Sequence, residues 1–168
     1  MSELTDPERI AVARVHALLE LLPTALDKEL APVGLTLFEY TLLEALSEAD
    51  LRRLRLSALA ARTNATLPRL SRVVNALERK GYVLRAACEA DGRATNAVLT
   101  EPGVEVYLRA RPLFVRAVRE LVLDGVADEG GPEALSRLAF GVLCRLDPGR
   151  RLAVLADAST SVGDPGGR

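Results

Sequence analysis

The stretch from Leu56 to Gly103 constrains the fold more than any other, because two short helical patterns and a turn are followed by two strand-like segments. Ser57 is placed to cap the first helix and Thr66 the second. Thr63 and Asn64 interrupt the helical pattern, and Asn tolerates the left-handed backbone that a sharp turn requires. This order predicts a winged helix-turn-helix, in which the second helix fits into a DNA major groove.

The second helix is expected from Thr66 to Lys80, with one apolar and one polar face. The residues that recur at helical spacing and form its buried stripe are Leu70, Val73, Val74 and Leu77. Its polar face carries guanidinium, amide and hydroxyl groups, which match the guanine edge, the adenine edge and phosphate oxygens respectively. The candidate base-edge residues are Arg69, Arg72 and Asn75, the candidate phosphate contacts are Ser71 and Arg79, and Thr66 and Pro68 complete the candidate DNA-binding set.

A hairpin is expected from strands at Tyr82–Cys88 and Thr95–Thr100. The segment between them, Glu89–Arg93, contains the Asp-Gly pair that is typical of a hairpin turn. Arg93 at this tip is expected to enter the minor groove or hold a phosphate, with Asp91 placed to orient it. The alternative for these two residues is a solvated turn that carries two charges.

The N-terminal part predicts a long helix from Asp6 to Ala31, which starts with a capping Asp and a Pro in the first turn. It carries more apolar residues than one buried stripe needs, and Pro23 is expected to kink it. Thr36 and Glu39 form a capping box that opens a second helix. Leu54–Leu56 is expected to form a short strand that pairs with the wing.

The C-terminal part predicts a helix from Glu101 to about Gly125 with a kink at Pro112, a loop over residues 124–131, and a last helix from Pro132 to Asp147. The spare apolar surface of the first helix and of the last two helices indicates a dimer. The expected fold is mainly α with a small β wing. Its expected parts are a helical dimerisation region at 6–31 and 101–158, a winged helix-turn-helix domain at 36–100 and a disordered tail at 159–168.

Several of these motifs occur together in one known family. Ser71-Arg72 precedes Leu77-Glu78-Arg79-Lys80-Gly81, and Asp91 and Arg93 precede Leu99-Thr100-Glu101-Pro102-Gly103. This ordered set resembles the MarR (multiple antibiotic resistance regulator) family of bacterial transcription factors, over roughly residues 6 to 147. The resemblance implies a homodimer on double-stranded DNA with a pseudo-palindromic operator, and a repressor that a small-molecule effector releases.

The distribution of charge agrees with a nucleic-acid partner. The net charge is −1, yet residues 51–93 carry ten basic and three acidic side chains, whereas residues 1–50 carry three basic and ten acidic ones. Positive charge concentrated on a helix-turn-helix is the footprint of a polyanion-binding surface. A winged helix that binds a protein partner, and a regulator that has no effector, are the open alternatives.

Other functions find little support in the sequence. With one His, no G-x-S-x-G motif and no phosphate-binding loop, the sequence does not predict an enzyme. The spacing of the two cysteines and the histidine predicts neither a metal site nor a disulfide framework, and no cofactor is expected. The acidic N-terminus lacks the apolar core of a signal peptide, and no apolar run approaches a membrane span, so a cytoplasmic location is expected.

Five single residues have a functional and a structural interpretation. His16, Phe38 and Tyr40 are candidates for an effector pocket, although a surface or interface position is favoured for His16 and core packing for the two aromatic residues. Cys88 at the wing is a candidate sensing thiol, with a plain strand residue as the favoured alternative. Cys144 is expected to be inert core.

Overall fold

The structure, a computed structural model, describes residues 3–88 and 91–147, with residues 88 and 91–94 described by their backbone alone. Its described part is mainly helical with a small sheet, which confirms the predicted fold class. The α-helices are α1 (Asp6–Leu30), α2 (Leu37–Ser47), α3 (Leu56–Arg62), α4 (Leu67–Arg79), α5 (Glu101–Val118) and α6 (Gly131–Leu146). The strands are β1 (Arg53–Arg55), β2 (Val83–Cys88) and β3 (Asp91–Leu99).

The three strands form one antiparallel sheet in the order β1-β3-β2. Leu54 of β1 lies opposite Ala97 of β3, which confirms the predicted pairing of a short strand with the wing. The strand is Arg53–Arg55 and not Leu54–Leu56, because Leu56 already belongs to α3.

The third strand is longer than the sequence predicted. It begins at Asp91 and not at Thr95, so the expectation of a turn at residues 91–93 was wrong. The ladder carries a register shift in which Ala87 pairs with Thr95, whereas Cys88 pairs with Asp91. An irregularity of this kind interrupts the alternation of side chains between the two faces of a strand. The strand limits were predicted from that alternation, so the extension of the hairpin was missed.

Helix starts depend on backbone geometry as well as on residue type. The prediction that Ser57 caps the first helix was wrong, because α3 begins at Leu56 directly after β1, with Arg55 at the N-cap position and no side-chain cap. Thr66 does cap α4 by accepting a hydrogen bond from a backbone N–H of its first turn. Asn64 in the intervening turn has φ of 52°, the left-handed conformation that was expected there.

Capping boxes open the first two helices. Thr36 and Glu39 exchange hydrogen bonds, at 2.9 Å from the Thr36 N–H to Glu39 Oε2 and 3.2 Å from the Glu39 N–H to Thr36 Oγ1, which confirms the prediction for α2. For α1 the cap is Thr5, one residue before the predicted Asp6. Glu8 accepts a hydrogen bond of 2.7 Å from the Thr5 N–H, so the helix starts where this reciprocal pair is possible.

The core lies between α2, α4, the sheet and α5. Tyr40 is fully buried at its centre, with its ring stacked on Phe114 at 4.3 Å between ring centroids and its hydroxyl donating to Glu44 Oε1 at 2.9 Å. Burial, together with this hydrogen bond, raises the pKa of the Tyr40 hydroxyl above its ordinary value. Fully buried aliphatic side chains surround it: Leu30, Leu42, Leu43, Leu46, Leu59, Leu70, Val74, Leu77 and Val106.

The segment between the last two helices differs from its prediction. The α-helix ends at Val118 and not near Gly125, and a π turn at Arg119–Leu123 forms the end of the range predicted for it. A 3-10 helix at Asp124–Glu129 replaces most of the expected loop. A short 3-10 helix suits the Asp- and Gly-containing sequence, which supports a full α-helix poorly. Pro23 and Pro112 lie inside α1 and α5, which continue past them, and the predicted kinks stay predictions.

The outer helices expose much apolar surface. No residue of α6 is buried in the protomer, and Cys144 is only half-buried, so its predicted place in a core was wrong for the isolated chain. Apolar residues with about half or more of their surface exposed are Ile10, Val15, Leu18, Leu19 and Leu21 of α1 and Leu138, Val142 and Leu146 of α6. Within residues 3–88 and 91–147, no helix is both long and apolar enough to cross a membrane. The predicted tail at 159–168 lies outside the described residues.

The C-terminal end of α4 is joined to the start of α2. Lys80 Nζ donates to Gly34 O at 3.0 Å and to Glu39 Oε1 at 2.7 Å. Glu39 is buried, so this ammonium group supplies the charge that balances a carboxylate in a poorly hydrated place.

The same end of α4 is joined to the start of α5. Thr100 Oγ1 donates to Gly81 O at 2.7 Å and accepts from the Gly103 N–H at 3.1 Å, while the Thr100 N–H donates to Tyr82 O at 3.1 Å. Thr100 thereby caps α5, as predicted, and also fixes the turn that follows α4. We call the four residues Gly81, Tyr82, Thr100 and Gly103 the α4–α5 junction.

Candidate nucleic-acid interface

The polar face of α4 is open to solvent. Leu70, Val74 and Leu77 on the opposite face are fully buried, which holds the helix against the core. Ser71 is half-buried, and the exposed side chains are Thr66, Pro68, Arg69, Arg72, Asn75 and Arg79. The predicted two-faced helix is confirmed, and contact of these residues with DNA stays a prediction.

Arg72 and Arg79 are two exposed guanidinium groups of this face. Neither forms an ion pair with another side chain that the structure describes. An exposed guanidinium group offers a planar set of donors and no acceptor, so it fits phosphate oxygens and the O6 and N7 atoms of guanine. These two arginines are the side chains of α4 most available to an acceptor-rich partner.

Arg69 points elsewhere. Its guanidinium carbon lies 4.2 Å from the centre of the Phe38 ring, which is a cation–π contact between α4 and α2. The structure therefore separates Arg69 from Arg72 and Arg79, although the sequence placed all three in one set.

The side chain of Arg85 in β2 contacts two residues on the polar side of α4. Its Nη2 atom donates to Asn75 Oδ1 at 2.6 Å, to Ser71 Oγ at 3.1 Å and to Ser71 O at 3.3 Å. Its Nε atom is buried without a hydrogen-bond partner in the described structure, 3.6 Å from Glu78 Oε2. Two predicted DNA-binding residues, Ser71 and Asn75, are thus held by one arginine that was not in the predicted set.

A signal for this role of Arg85 was present in the sequence. Residues two apart in a strand share a face, so Arg85 lies on the same face of β2 as the buried Val83. An arginine on the inward face of the hairpin must meet acceptors on the element that packs there, and that element is α4.

A cavity of about 440 Å³ lies on the other side of α4. It is bounded by parts of three helices, by the turn before α2 and by the residue that follows α3. The lining residues are Pro23 and Asp27 of α1, Thr36, Leu37, Phe38 and Thr41 at α2, Thr63 after α3, and Arg69 and Val73 of α4. Its size is within the range that small-molecule sites occupy.

The three predicted effector residues lie in different places. Phe38 lines the cavity. Tyr40 is fully buried in the core with its hydroxyl bonded to Glu44, and His16 is exposed on α1, so neither lies on the cavity wall. The structure thus brings only one of these residues to the cavity.

The predicted site residues of the wing are described by backbone alone. Asp91 and Arg93 belong to β3, opposite the end of β2, and their side chains lie outside the described part, as does that of Cys88. Their predicted roles stay predictions.

A comparison with family models adds independent information. The model described as MarR family matches residues 33–94, from shortly after α1 to the first part of β3. This range contains α2, α3 and α4 and ends within the wing. Among curated proteins no match is found.

Solved structures match over nearly the whole chain. AbsC, a MarR family transcriptional regulator from Streptomyces coelicolor, is 35% identical, with a TM-score of 0.79 over 89% of this chain and 100% of that one. Sco3205, a MarR family regulator from the same organism solved in complex with DNA, is 33% identical, with a TM-score of 0.79 over 89% and 92%. The Mycobacterium tuberculosis regulator MOSR, also solved with DNA, is 25% identical, with a TM-score of 0.68 over 83% and 98%. With this identity over this coverage, the chain belongs to the MarR family of transcriptional regulators.

Proposed function

We propose that this protein is a homodimeric, sequence-specific DNA-binding repressor that places α4 in the major groove of a pseudo-palindromic operator. The observation that carries this proposal is the open polar face of α4, with the exposed guanidinium groups of Arg72 and Arg79 above a fully buried apolar face. The DNA complexes of Sco3205 and MOSR support it by family relationship. The wing, with Arg93, is proposed to contact the minor groove or the backbone.

The apolar surface that α1 and α6 leave exposed supports dimerisation. A row of exposed leucines and valines on two helices is more apolar surface than a monomer in water ordinarily presents. We infer that α1, α5 and α6 form the dimerisation region and that residues 36–100 form the DNA-binding domain. Two copies related by a dyad read two half-sites, which gives the selectivity that one helix lacks.

The cavity beside α4 is the proposed effector site. It is bounded by α1 and α2 on one side and by Arg69 and Val73 of α4 on the other. A compound bound there contacts α4 from behind, and its binding energy can favour one position of that helix over another. The stack of Arg69 on Phe38 is the contact that such a compound would alter first.

Replacement of Arg72 tests the DNA-binding proposal. For Arg72→Ala we expect a loss of roughly 1–3 kcal/mol in specific binding, since a bidentate contact with guanine contributes about this much. The measurement is fluorescence anisotropy on the promoter DNA upstream of the gene across a salt series, with Arg109→Ala as the control. Arg109 is an exposed arginine of α5, so the control removes the same charge elsewhere.

The salt series separates DNA binding from the alternative of a protein-interaction module. Affinity for DNA should fall steeply with salt through counterion release, and both arginine variants should keep most of that dependence. Unchanged operator affinity in Arg72→Ala would refute the role of Arg72. Weak, sequence-independent binding by the wild-type protein would favour the interaction module.

A further inference from the structure

We propose that Arg85 sets the orientation of the Asn75 amide on α4, so that Asn75 presents its N–H donors to DNA and reads a guanine and not an adenine. Arg85 is a positioning residue in this proposal, because it acts through Asn75 and Ser71. The inference rests on the proposed DNA-binding function.

The orientation of the Asn75 amide follows from chemistry. Arginine has five N–H donors and no acceptor, so the amide atom that lies 2.6 Å from Arg85 Nη2 must be the oxygen. The amide nitrogen, with its two hydrogens, then points away from Arg85 on an exposed residue.

Arg85 orients the hydroxyl group of Ser71 as well. Its Oγ atom accepts a hydrogen bond from Arg85 Nη2 at 3.1 Å, which leaves its single hydrogen to donate elsewhere. Ser71 and Asn75 lie four residues apart, on adjacent turns of α4. One arginine therefore orients two neighbouring polar side chains, each of which keeps a donor free for another partner.

Arg85 is itself held in place. Its side chain is only 30% exposed, and Glu78 Oε2 lies 3.6 Å from its Nε atom. The carboxylate balances its charge, so Arg85 is fixed between the wing and α4. Because Arg85 is held in place, it can fix the orientation of the Asn75 amide. Rotation about χ2 of Asn75 would otherwise allow either the amide oxygen or the amide nitrogen to point outward.

This geometry changes the base that Asn75 can read. The bidentate contact of Asn with adenine needs its oxygen to accept from adenine N6 and its nitrogen to donate to N7. Here the oxygen faces Arg85, so the amide nitrogen is the atom that faces outward, and its two N–H groups match the two acceptors of guanine, N7 and O6. The sequence matched this amide to adenine, and the proposal replaces that match with guanine.

The experiment is selection of operators from a randomised DNA library by four forms of the full chain: wild type, Asn75→Ala, Arg85→Met and Arg85→Lys. Wild type should select guanine at one position of each half-site, and Asn75→Ala should lose that preference. Arg85→Met frees the Asn75 oxygen, so the guanine-to-adenine ratio at this position should shift towards adenine by about tenfold or more. Arg85→Lys should retain guanine, because an ammonium group also only donates.

Three results would overturn the inference while leaving the proposed function intact. The first is a wild-type preference for adenine at the position that Asn75→Ala changes. The second is a folded Arg85→Met protein that selects the same bases as wild type. The third is a uniform loss of affinity in Asn75→Ala with no change in base preference, which would assign Asn75 to a phosphate. Absence of any selected operator for wild type would instead reject the proposed function.

The comparison does not depend on the stability of one variant. If thermal unfolding shows that Arg85→Met is not folded, Asn75→Ala still tests the proposal with Arg85 unchanged, because the base whose preference is lost must be guanine. A lost adenine preference in that variant contradicts it.

Discussion

Position 103 shows how closely two segments of this chain approach each other. A Cβ atom added to Gly103 would lie 2.1 Å from the backbone oxygen of Tyr82 and 2.7 Å from Leu99 Cδ1. The first of these atoms is backbone and cannot rotate away. The absence of a side chain at Gly103 is therefore what allows the first turn of α5 to lie against the end of the wing.

We expect Gly103→Ala to lower the free energy of unfolding by about 1–3 kcal/mol, the usual cost of forcing extra volume into a packed site. Chemical denaturation monitored by circular dichroism measures this change. Gly125→Ala is the matched control, since a Cβ at Gly125 meets nothing within 4 Å. Equal stability of the two variants would show that the α4–α5 junction is looser than its geometry indicates.

The residues that the sequence identified are those whose role depends on their neighbours in the chain. Thr66, Thr36 and Thr100 cap helices through bonds to residues three positions later, and local spacing reveals such bonds. Arg85 was missed because its partners lie ten and fourteen positions away, on an element whose packing the local pattern does not specify.

At the level of whole elements, long amphipathic helices were the easiest to predict. The limits of α4 and α6 came from apolar periodicity over several turns, and the core packs on the apolar face of α4 as expected, whereas that of α6 is left exposed in the protomer. The start of β3 and the segment after α5 were predicted wrongly, since a strand bulge and a 3-10 helix have no comparable period. The cavity was also hidden, because it arises from the relative placement of α1, α2 and α4.

The position of the cavity between α1, α2 and α4 predicts how the protein responds to small-molecule ligands. In a screen with acidic and neutral aromatic fragments, some should raise the Tm of the wild-type protein and weaken its binding to the operator. Thr41→Trp should abolish both effects, since a large ring at Thr41 fills the cavity that this residue lines. Thr41→Ser, which keeps a hydroxyl and leaves the cavity open, is the control. Fragments that act equally on the Trp variant bind elsewhere, and the cavity is then not their site.

At the scale of the whole molecule, the exposed apolar face of α6 bears on whether two protomers associate. Leu138 of α6 is 73% exposed and Val142, one turn later, is 57% exposed, so a single protomer leaves this face in water. Covering such a face removes apolar area from water, which stabilises a dimer in proportion to the area covered.

We expect the wild-type protein to have about twice the protomer mass of 18.1 kDa in analytical ultracentrifugation, and the double variant Leu138→Glu, Val142→Glu to have the mass of one protomer. Burial of two carboxylates in the interface disfavours association. Leu51→Glu is the control, because Leu51 is 88% exposed but lies outside the dimerisation region. A double variant that remains dimeric would exclude this face of α6 from the interface.

The α4–α5 junction has a consequence for how the proposed dimer fits the spacing of two DNA half-sites. Because Thr100 forms hydrogen bonds with both Gly81 and Gly103, the end of α4 and the start of α5 are joined at one point. An 18-residue helix is about 27 Å long, so a rotation of about 5° at its end displaces the other end by about 2 Å. In the proposed dimer, the stiffness of this junction would determine how much the distance between the two copies of α4 varies, and therefore how much variation in half-site spacing the protein tolerates.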